Sequence, residues 1–293
     1  MPSTRDIRRR IKSVKNTAQI TKAMQMVAAS KMRKAQQAAL AGRPYASLMN
    51  DVLAEVTYHA GDFTHPLMEK REGSNKRAII VVSTDKGLCG ALNSNLMREA
   101  AKFDKATTVY ITAGRKGSQF IARTKRQLAA EFTYKDAPLF SEARAISRFA
   151  RDMFLKGDVD RVDILFTNFI STLNQKPEVF PLLPIGQIKG VVAGVHGHAM
   201  EEKLLKGATE FLFEPNVEEV FGALLPHYLN FQVYQILLEA KASEHSARMV
   251  AMKNATDNAK QLIKDLTLEY NKLRQANITK ELLEITSAAM AMG

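Results

Sequence analysis

The last third of the chain decides its fold. Residues 229–292 read LNFQVYQILLEAKASEHSARMVAMKNATDNAKQLIKDLTLEYNKLRQANITKELLEITSAAMAM, with neither glycine nor proline and with strong helix formers dominant. At 1.5 Å of rise per residue, this stretch predicts one helix roughly 95 Å long. Such a length is typical of a coiled coil, a membrane span or a repeat array. No long apolar run and no internal repeat occur, so we expect a coiled coil.

The predicted helix extends back to Asn216, with Pro226 as its one interior breaker and Gly222 close before it. Its apolar residues form a narrow seam, mostly three or four residues apart, which favours a partner helix over a sheet. The seam is weak, with alanine and asparagine where a tight zipper has leucine. The predicted seam comprises Met249, Met252, Ala259, Leu262, Leu266, Tyr270 and Leu273, continued less regularly by Ile278, Leu282, Ile285, Ala289 and Met292.

A second long helix is predicted over residues 4–41, about 57 Å in length. Ser3 or Thr4 is the expected N-cap, and Asp6 falls in the first turn. After the break GRP at residues 42–44, helix is expected to resume near Tyr45 and to reach residue 59. Its apolar stripe is expected to follow Ile7, Ile11, Val14 and Ala18, and then to step to Ile20, Met24, Val27 and Met32.

The middle of the chain has a different period. The run AIIVV at residues 78–82 is typical of a strand covered on both faces. Strands and helices then alternate, which predicts a mostly parallel sheet with helices on its faces. The last strand contains Pro181 and Pro184, so it is expected at an edge. The predicted strands are 78–82, 108–112, 129–134, 161–170 and 178–185, and the predicted helices are 91–103, 116–123 and 141–156.

The expected architecture is therefore an antiparallel two-helix coiled coil with an inserted, Rossmann-like α/β domain. We assign residues 1–60 and 211–293 to the two arms of the coiled coil and residues 76–186 to the α/β domain. Residues 187–210 form a poorly patterned loop region, followed by a short strand at residues 211–213 and by Asn216 as a helix cap.

Composition adds one unusual feature. Among 293 residues, the 46% hydrophobic and 25% charged shares are ordinary for a globular protein, but the net charge is +12. Such a chain favours an acidic partner: nucleic acid, an anionic membrane surface or an acidic protein. The N-terminal helix is strongly basic, with Asp6 its single acid, yet it lacks a helix-turn-helix signature and stacking aromatics. A basic coiled-coil nucleic-acid binder therefore remains an alternative.

Candidate chemistry is sparse. Residues 83–90, STDKGLCG, lie between a predicted strand and a helix, where phosphate loops occur, but their spacing matches no phosphate-binding motif. Cys89, the single cysteine, indicates a reducing compartment and is more typical of a small buried filler than of a nucleophile. His196 and His198 lack further spaced metal ligands. We expect no catalytic, cofactor or metal site, and a nucleotide enzyme using this loop is a third alternative.

Six segments carry a family resemblance along nearly all of the chain. Together they resemble the gamma subunit of bacterial F-type ATP synthase. The segments are IRRRIKSVKNT at 7–17, ITKAMQMVAASKMRK at 20–34, STDKGLCGALN at 83–93, ASEHSARMVAMK at 242–253, ATDN at 255–258 and YNKLRQANITKELLEI at 270–285.

The resemblance implies a mechanism that the residues alone leave open. It implies a central rotor shaft, present in single copy inside a ring of three alpha and three beta subunits. Its foot would rest on the c-ring with the epsilon subunit, and proton-driven rotation would drive the beta sites in turn. The shaft would be non-catalytic, without cofactor or nucleic acid, and peripheral on the cytoplasmic side of the cell (inner) membrane.

The same resemblance implies contact residues. Phe213 and Glu214, in the family's aromatic-Glu-Pro motif, would lie near the c-ring and epsilon, and Phe213 lacks the hydroxyl of relatives with tyrosine there. Lys86 and the basic N-terminal helix would lie near an acidic lever segment of beta. The implied beta-subunit contacts are Met24, Lys86, Arg274, Gln275 and Thr279.

Overall fold

The computed structural model describes most of the chain, namely residues 3–59, 65–71, 73, 75–186, 214 and 216–292. The loop region expected at 187–210 and the short strand expected at 211–213 lie outside the described residues. The chain divides into two compact units. The helical unit comprises Met1–Val27 with Met249–Gly293, and the α/β unit comprises Ala28–Arg248.

The predicted helices and strands are confirmed, with small shifts at their ends. The helices are α1 Thr4–Ala41, α2 Arg43–His59, α3 Leu92–Ala101, α4 Arg115–Arg123, α5 Phe140–Lys156 and α6 Val217–Met292. The strands are β1 Arg77–Val82, β2 Thr108–Ala113, β3 Gln127–Phe132, β4 Arg161–Phe169 and β5 Gln175–Leu183.

Side-chain caps begin both terminal helices. The Ser3 hydroxyl accepts a hydrogen bond from the Asp6 amide at 3.2 Å and donates to the Asp6 carboxylate at 2.7 Å. The Asn216 side-chain oxygen accepts from the Glu219 amide at 2.8 Å. Each cap gives an amide of the first helical turn a side-chain acceptor, which confirms the two predicted starts.

The expected breakers barely interrupt the helices. Pro226 lies inside α6. It cannot donate to the carbonyl of Gly222, but that residue is exposed, so water can bond the free oxygen. Between α1 and α2 the Gly42 amide donates to Ala38 at 3.3 Å, and the Ala46 amide donates to Gly42 at 3.0 Å. The helical bonding therefore passes through the predicted break.

In the helical unit, α1 and α6 pair along a seam that advances by alternate steps of three and four residues, as in an antiparallel coiled coil. The expected stripe is wrong in part, because Ile20, Val27 and Leu262 are 60%, 56% and 47% exposed. The seam instead keeps its heptad spacing through two polar positions, Thr21 and Thr256. Its buried and half-buried members are Ile7, Ile11, Val14, Ala18 and Thr21 on α1, and Met252, Thr256, Ala259, Ile263, Leu266, Tyr270 and Leu273 on α6.

A direct hydrogen bond explains the polar pair. The hydroxyl oxygens of Thr21 and Thr256 lie 2.8 Å apart in the buried seam. Each hydroxyl also lies within hydrogen-bonding distance of a carbonyl of its own helix, that of Ala18 at 3.1 Å and that of Met252 at 2.8 Å. Polar groups can occupy the seam because they are satisfied there, and a polar pair of this kind sets the register of two helices.

The α/β unit is built on a five-stranded sheet of order β3-β2-β1-β4-β5. The first four strands are mutually parallel, and β5 pairs antiparallel with β4 at the edge. The predicted edge is confirmed, although the strand starts at Gln175 and ends before Pro184. Side chains of successive residues alternate between the two faces of a strand, so each face of β1 contributes to a different core.

Each face of the sheet has its own apolar core. Ile80 and Val82 of β1 pack in the larger core, which includes residues of α2, α5 and the first part of α6. Ile79 and Val81 pack on the other face with Leu96 of α3 and with residues of α4. The result is a Rossmann-like, three-layered unit whose β1–α3 loop lies at the carboxyl edge of the sheet. Among the described helices, none has the length and apolarity needed to cross a membrane.

Candidate functional site

A run of buried polar residues on α6 is the most distinctive arrangement in the α/β unit. A helix normally buries its apolar face, but between Glu239 and Ser246 this helix also buries charged and hydroxyl side chains. We call the group that fastens α6 to the sheet the polar clamp. The polar clamp consists of Tyr134, Asp136, Lys241, Ser243, Glu244, Ser246 and Arg248.

Lys241 is the centre of the polar clamp, with only 2% of its side chain exposed. Its ammonium group lies 3.0 Å from a Glu244 carboxylate oxygen and 3.7 Å from an Asp136 oxygen. It also lies 4.5 Å from the centroid of the Tyr134 ring. Burial of a charge is costly unless partners surround it, and here two anions and an aromatic face do so.

The second cation of the polar clamp, Arg248, connects α6 to the β1–α3 loop. Its guanidinium lies 2.8 Å from the other Glu244 oxygen. The same nitrogen donates to the carbonyl of Gly87 at 3.3 Å and lies 3.5 Å from that of Lys86. Glu244 therefore lies between two cations, and the loop contacts α6 through its backbone.

Two serines attach α6 to the end of β4. The Ser243 hydroxyl donates to the carbonyl of Thr167 at 2.9 Å, and the Ser246 hydroxyl donates to that of Thr172 at 2.9 Å. The polar clamp therefore approaches α6 from three parts of the α/β unit: the β1–α3 loop, the segment after β3 and the end of β4. Contacts from three directions oppose rotation of α6 about its own axis.

His245 is buried beside these charges, at 2% exposure. Desolvation lowers its pKa to about 4, although the nearby Glu244 carboxylate acts in the opposite direction. A hydrogen bond from Lys31 holds the pKa of the Asp136 carboxyl below its usual value. At neutral pH the imidazole is uncharged and the Asp136 carboxylate is ionised, so the ion pairs of the polar clamp are intact.

In the candidate phosphate loop, residues 83–90, polar side chains form hydrogen bonds within the protein. The Asp85 carboxylate accepts from the Arg115 amide at 3.0 Å, at the start of α4. The Thr84 hydroxyl donates to the Lys86 carbonyl at 2.7 Å and accepts from Asn93 at 2.7 Å. Cys89 is buried and desolvation raises its pKa, which opposes a nucleophilic role and favours the filler interpretation.

The described residues hold no group of three metal-ligating side chains that could bind an ion. His196 and His198 lie outside the described residues, and so does Phe213.

The implied contact residues lie on α1, in the β1–α3 loop, just before α6 and on α6 itself. Met24 is half-buried on α1, and Lys86 is exposed in the β1–α3 loop. Arg274, Gln275 and Thr279 are exposed on α6, and the Thr279 hydroxyl donates to the Gln275 carbonyl at 3.0 Å. Glu214 is exposed. Their roles in binding other subunits stay predictions.

In the final part of α6, apolar side chains are exposed. Every residue from 274 to 290 is exposed. Leu282 is 57% exposed, Ile285 66% and Met290 85%. Several exposed apolar side chains in one segment favour an interaction surface.

Comparison with known proteins decides the family. The family profile described as ATP synthase matches residues 3–292. The ATP synthase gamma chain of Opitutus terrae is 50% identical over 293 residues, covering 99% of both chains. That of Methylacidiphilum infernorum is 47% identical over the whole of both chains. This chain belongs to the ATP synthase gamma chain family.

Solved structures agree with the gamma chain fold. The central stalk and c-ring structure of Tetrahymena thermophila mitochondrial ATP synthase contains a chain with a TM-score of 0.60 and 25% identity, over 80% of this chain and 99% of that one. A chain in the Euglena gracilis mitochondrial ATP synthase has a TM-score of 0.65 over 99% of this chain and 94% of that one. At 21% identity, the second likeness shows the fold alone.

The polar clamp of this gamma chain family member was not anticipated from its sequence, although the motif at 242–253 carried the family resemblance. Lys241, Glu244 and Arg248 follow one another at steps of three and four residues, the spacing of ordinary surface ion pairs on a helix. The available signal was the small residues between them, Ala242, Ser243 and Ser246, which allow another backbone to approach closely.

Proposed function

We propose that this chain is the central rotor shaft of an F1Fo ATP synthase. The observation that carries the proposal is the match to ATP synthase gamma chains over the whole length of the chain. Rotation of a c-ring would turn the shaft, and the shaft would change the beta subunits in sequence so that they synthesise ATP. Family membership offers no support for the alternative of a nucleic-acid binder.

The polar clamp suggests how torque passes through the chain. Torque that enters the α/β unit must reach α6 without slipping. A helix held by one side alone could swivel, whereas Lys241, Ser243 and Arg248 connect α6 to three different parts of the unit. Since α6 is one uninterrupted helix from Val217 to Met292, rotation imposed at the polar clamp would be carried along it.

The proposed partners are three alpha and three beta subunits, one epsilon subunit and the c-ring, with this chain in single copy. We assign Phe213 and Glu214 to the c-ring and epsilon. The exposed apolar end of α6 would turn inside the alpha–beta ring as a bearing. The proposed beta contacts are Met24, Lys86, Arg274, Gln275 and Thr279.

We further propose that the chain itself is not an enzyme and that it is peripheral on the cytoplasmic side of the inner membrane. Two observations support the first point: the loop at 83–90 uses its polar groups in structural bonds, and Cys89 is a desolvated thiol with a raised pKa. Detectable ATP hydrolysis by the isolated chain would contradict this part of the proposal.

Reconstitution tests the rotor function directly. Purified alpha and beta subunits should assemble with this chain into a complex that hydrolyses ATP and turns a bead attached to the α/β unit. Rotation should stop when ATP is omitted. Failure to assemble, together with tight and salt-sensitive DNA binding by the purified chain, would overturn the proposal in favour of a nucleic-acid binder.

A further inference from the structure

A groove of about 560 Å³ lies between α3 and α4, on the face of the sheet opposite α5. Its floor is apolar and includes Met97, Ala101 and Phe120. Met97 is buried and Phe120 half-buried, and both pack with the apolar core beneath. The groove therefore offers a partner an apolar surface between two helices.

The groove also carries uncompensated positive charge. Arg98, Lys116 and Arg123 line it, and none of its lining residues is acidic. Within the part of the chain that the structure describes, none of these three cations forms an ion pair. Lys102, which is not one of the lining residues, does form one, with Glu99 at 2.7 Å. Positive charge left unpaired around an apolar floor favours an acidic partner.

The spacing of the cations indicates the shape of that partner. Lys116 and Arg123 are seven residues apart on α4, which is about 10.5 Å along the helix. Two acidic residues seven positions apart on a docked helix have the same spacing as Lys116 and Arg123. Arg98, on the opposite wall of the groove, would pair with a third acidic residue between those two. We propose that this groove binds an acidic amphipathic helix of another protein, with its apolar side chains on Met97 and Phe120.

A nucleic acid fits the groove less well. Binding of a strand relies on stacked bases and on a continuous run of phosphate contacts, whereas the floor here holds only one half-buried ring, Phe120. The proposal does not depend on the rotor function, because it rests only on groups within the α/β unit.

The test uses the full chain and a short, fluorescent, helical peptide with glutamates seven residues apart and leucines on the adjoining face. Binding is followed by fluorescence anisotropy. The double variant Lys116→Glu/Arg123→Glu should bind at least tenfold more weakly, and so should Phe120→Ala. The control Lys105→Glu/Lys156→Glu changes the net charge equally at exposed sites outside the groove and should bind within twofold of the unchanged chain.

Unchanged binding of the peptide by the charge variant would overturn the proposal, and so would any of three further outcomes. Equal loss in groove and control variants would mean general attraction to a basic protein. Equal binding of a peptide with glutamine in place of glutamate would remove the role of the cations. If the Phe120→Ala variant unfolds, the charge variants alone decide the result. Displacement of the peptide by single-stranded DNA from the unchanged chain, but not from the groove variants, would assign the groove to nucleic acid.

Discussion

Replacing Glu244 by alanine removes the anion that lies between the two cations of the polar clamp. Lys241 and Arg248 would remain in place with 2% and 12% of their side chains exposed. Breaking a buried ion pair by removing one partner costs about 3–5 kcal/mol. Lys241 keeps Asp136 at 3.7 Å and the Tyr134 ring at 4.5 Å. We therefore expect the lower end, a loss of about 3 kcal/mol in the free energy of unfolding of the α/β unit.

Hydrogen exchange in urea at pH 7 measures this loss, read from the amides of β1 and β4. Glu244→Gln keeps the size of the side chain and removes only its charge, so it should lose most of the same free energy. Glu99→Ala is the matched control within the same unit, since Glu99 pairs with Lys102 at 2.7 Å at the surface, with 35% and 65% of the two side chains exposed. An exposed pair contributes less than about 1 kcal/mol.

The reasoning would be refuted if the α/β unit of Glu244→Ala unfolded with the same free energy as that of the Glu99→Ala control. That result would mean that water reaches Lys241 and screens its charge, and the polar clamp would then be an ordinary surface network. Normal stability of the purified variant would also remove the structural basis for torque transfer at this position.

Four further outcomes are expected. Arg274→Ala should assemble normally but lower ATP hydrolysis and proton pumping by a factor of roughly five to ten, because a partly exposed contact contributes about 1 kcal/mol. Arg274→Lys should recover only part of the lost activity. Wild-type values for both activities in the alanine variant would contradict the proposed contact with beta. Deletion of residues 289–293 should leave assembly intact, since terminal turns contribute little, and loss of assembly would exclude a bearing. Thr21→Val should cost about 1 kcal/mol of coiled-coil stability. Adding Thr256→Val should restore most of that stability, because both polar partners are then gone. Additive losses of the two substitutions in thermal unfolding would refute this expectation. In the folded protein the pKa of His245 is about 4, below its ordinary value of 6.5. The stabilisation from its neutral form is therefore present above pH 6.5, and the free energy of unfolding should fall by roughly 3 kcal/mol as the pH falls to 4. His245→Gln should remove that part of the acid loss in urea titrations, and identical pH profiles of the two proteins would contradict this expectation.

Local sequence patterns predicted the helices and strands closely because local rules govern them. The α1 and α6 caps at Ser3 and Asn216 are short-range hydrogen bonds, and the alternation of strands and helices reflects the burial of both faces of a sheet. The family resemblance, which depends only on residue identity, was confirmed along the whole chain. The residues of the seam were harder to predict, because apolar character alone favoured Ile20 and Val27 over Thr21.

The tertiary structure decided which polar groups are buried. Thr21 lies in the seam opposite Thr256, which faces it across the helix pair, a relation between residues far apart in the chain. Lys241 and Glu244 have the spacing of solvated ion pairs, and their burial follows from the β1–α3 loop, the segment after β3 and the end of β4 closing around α6. By itself the sequence determined the helix lengths, the parallel sheet and the family, since periodicity and residue identity are properties of the chain. Burial of a polar side chain depends on partners supplied by distant segments, so only the folded structure decided the polar clamp and the register of the seam.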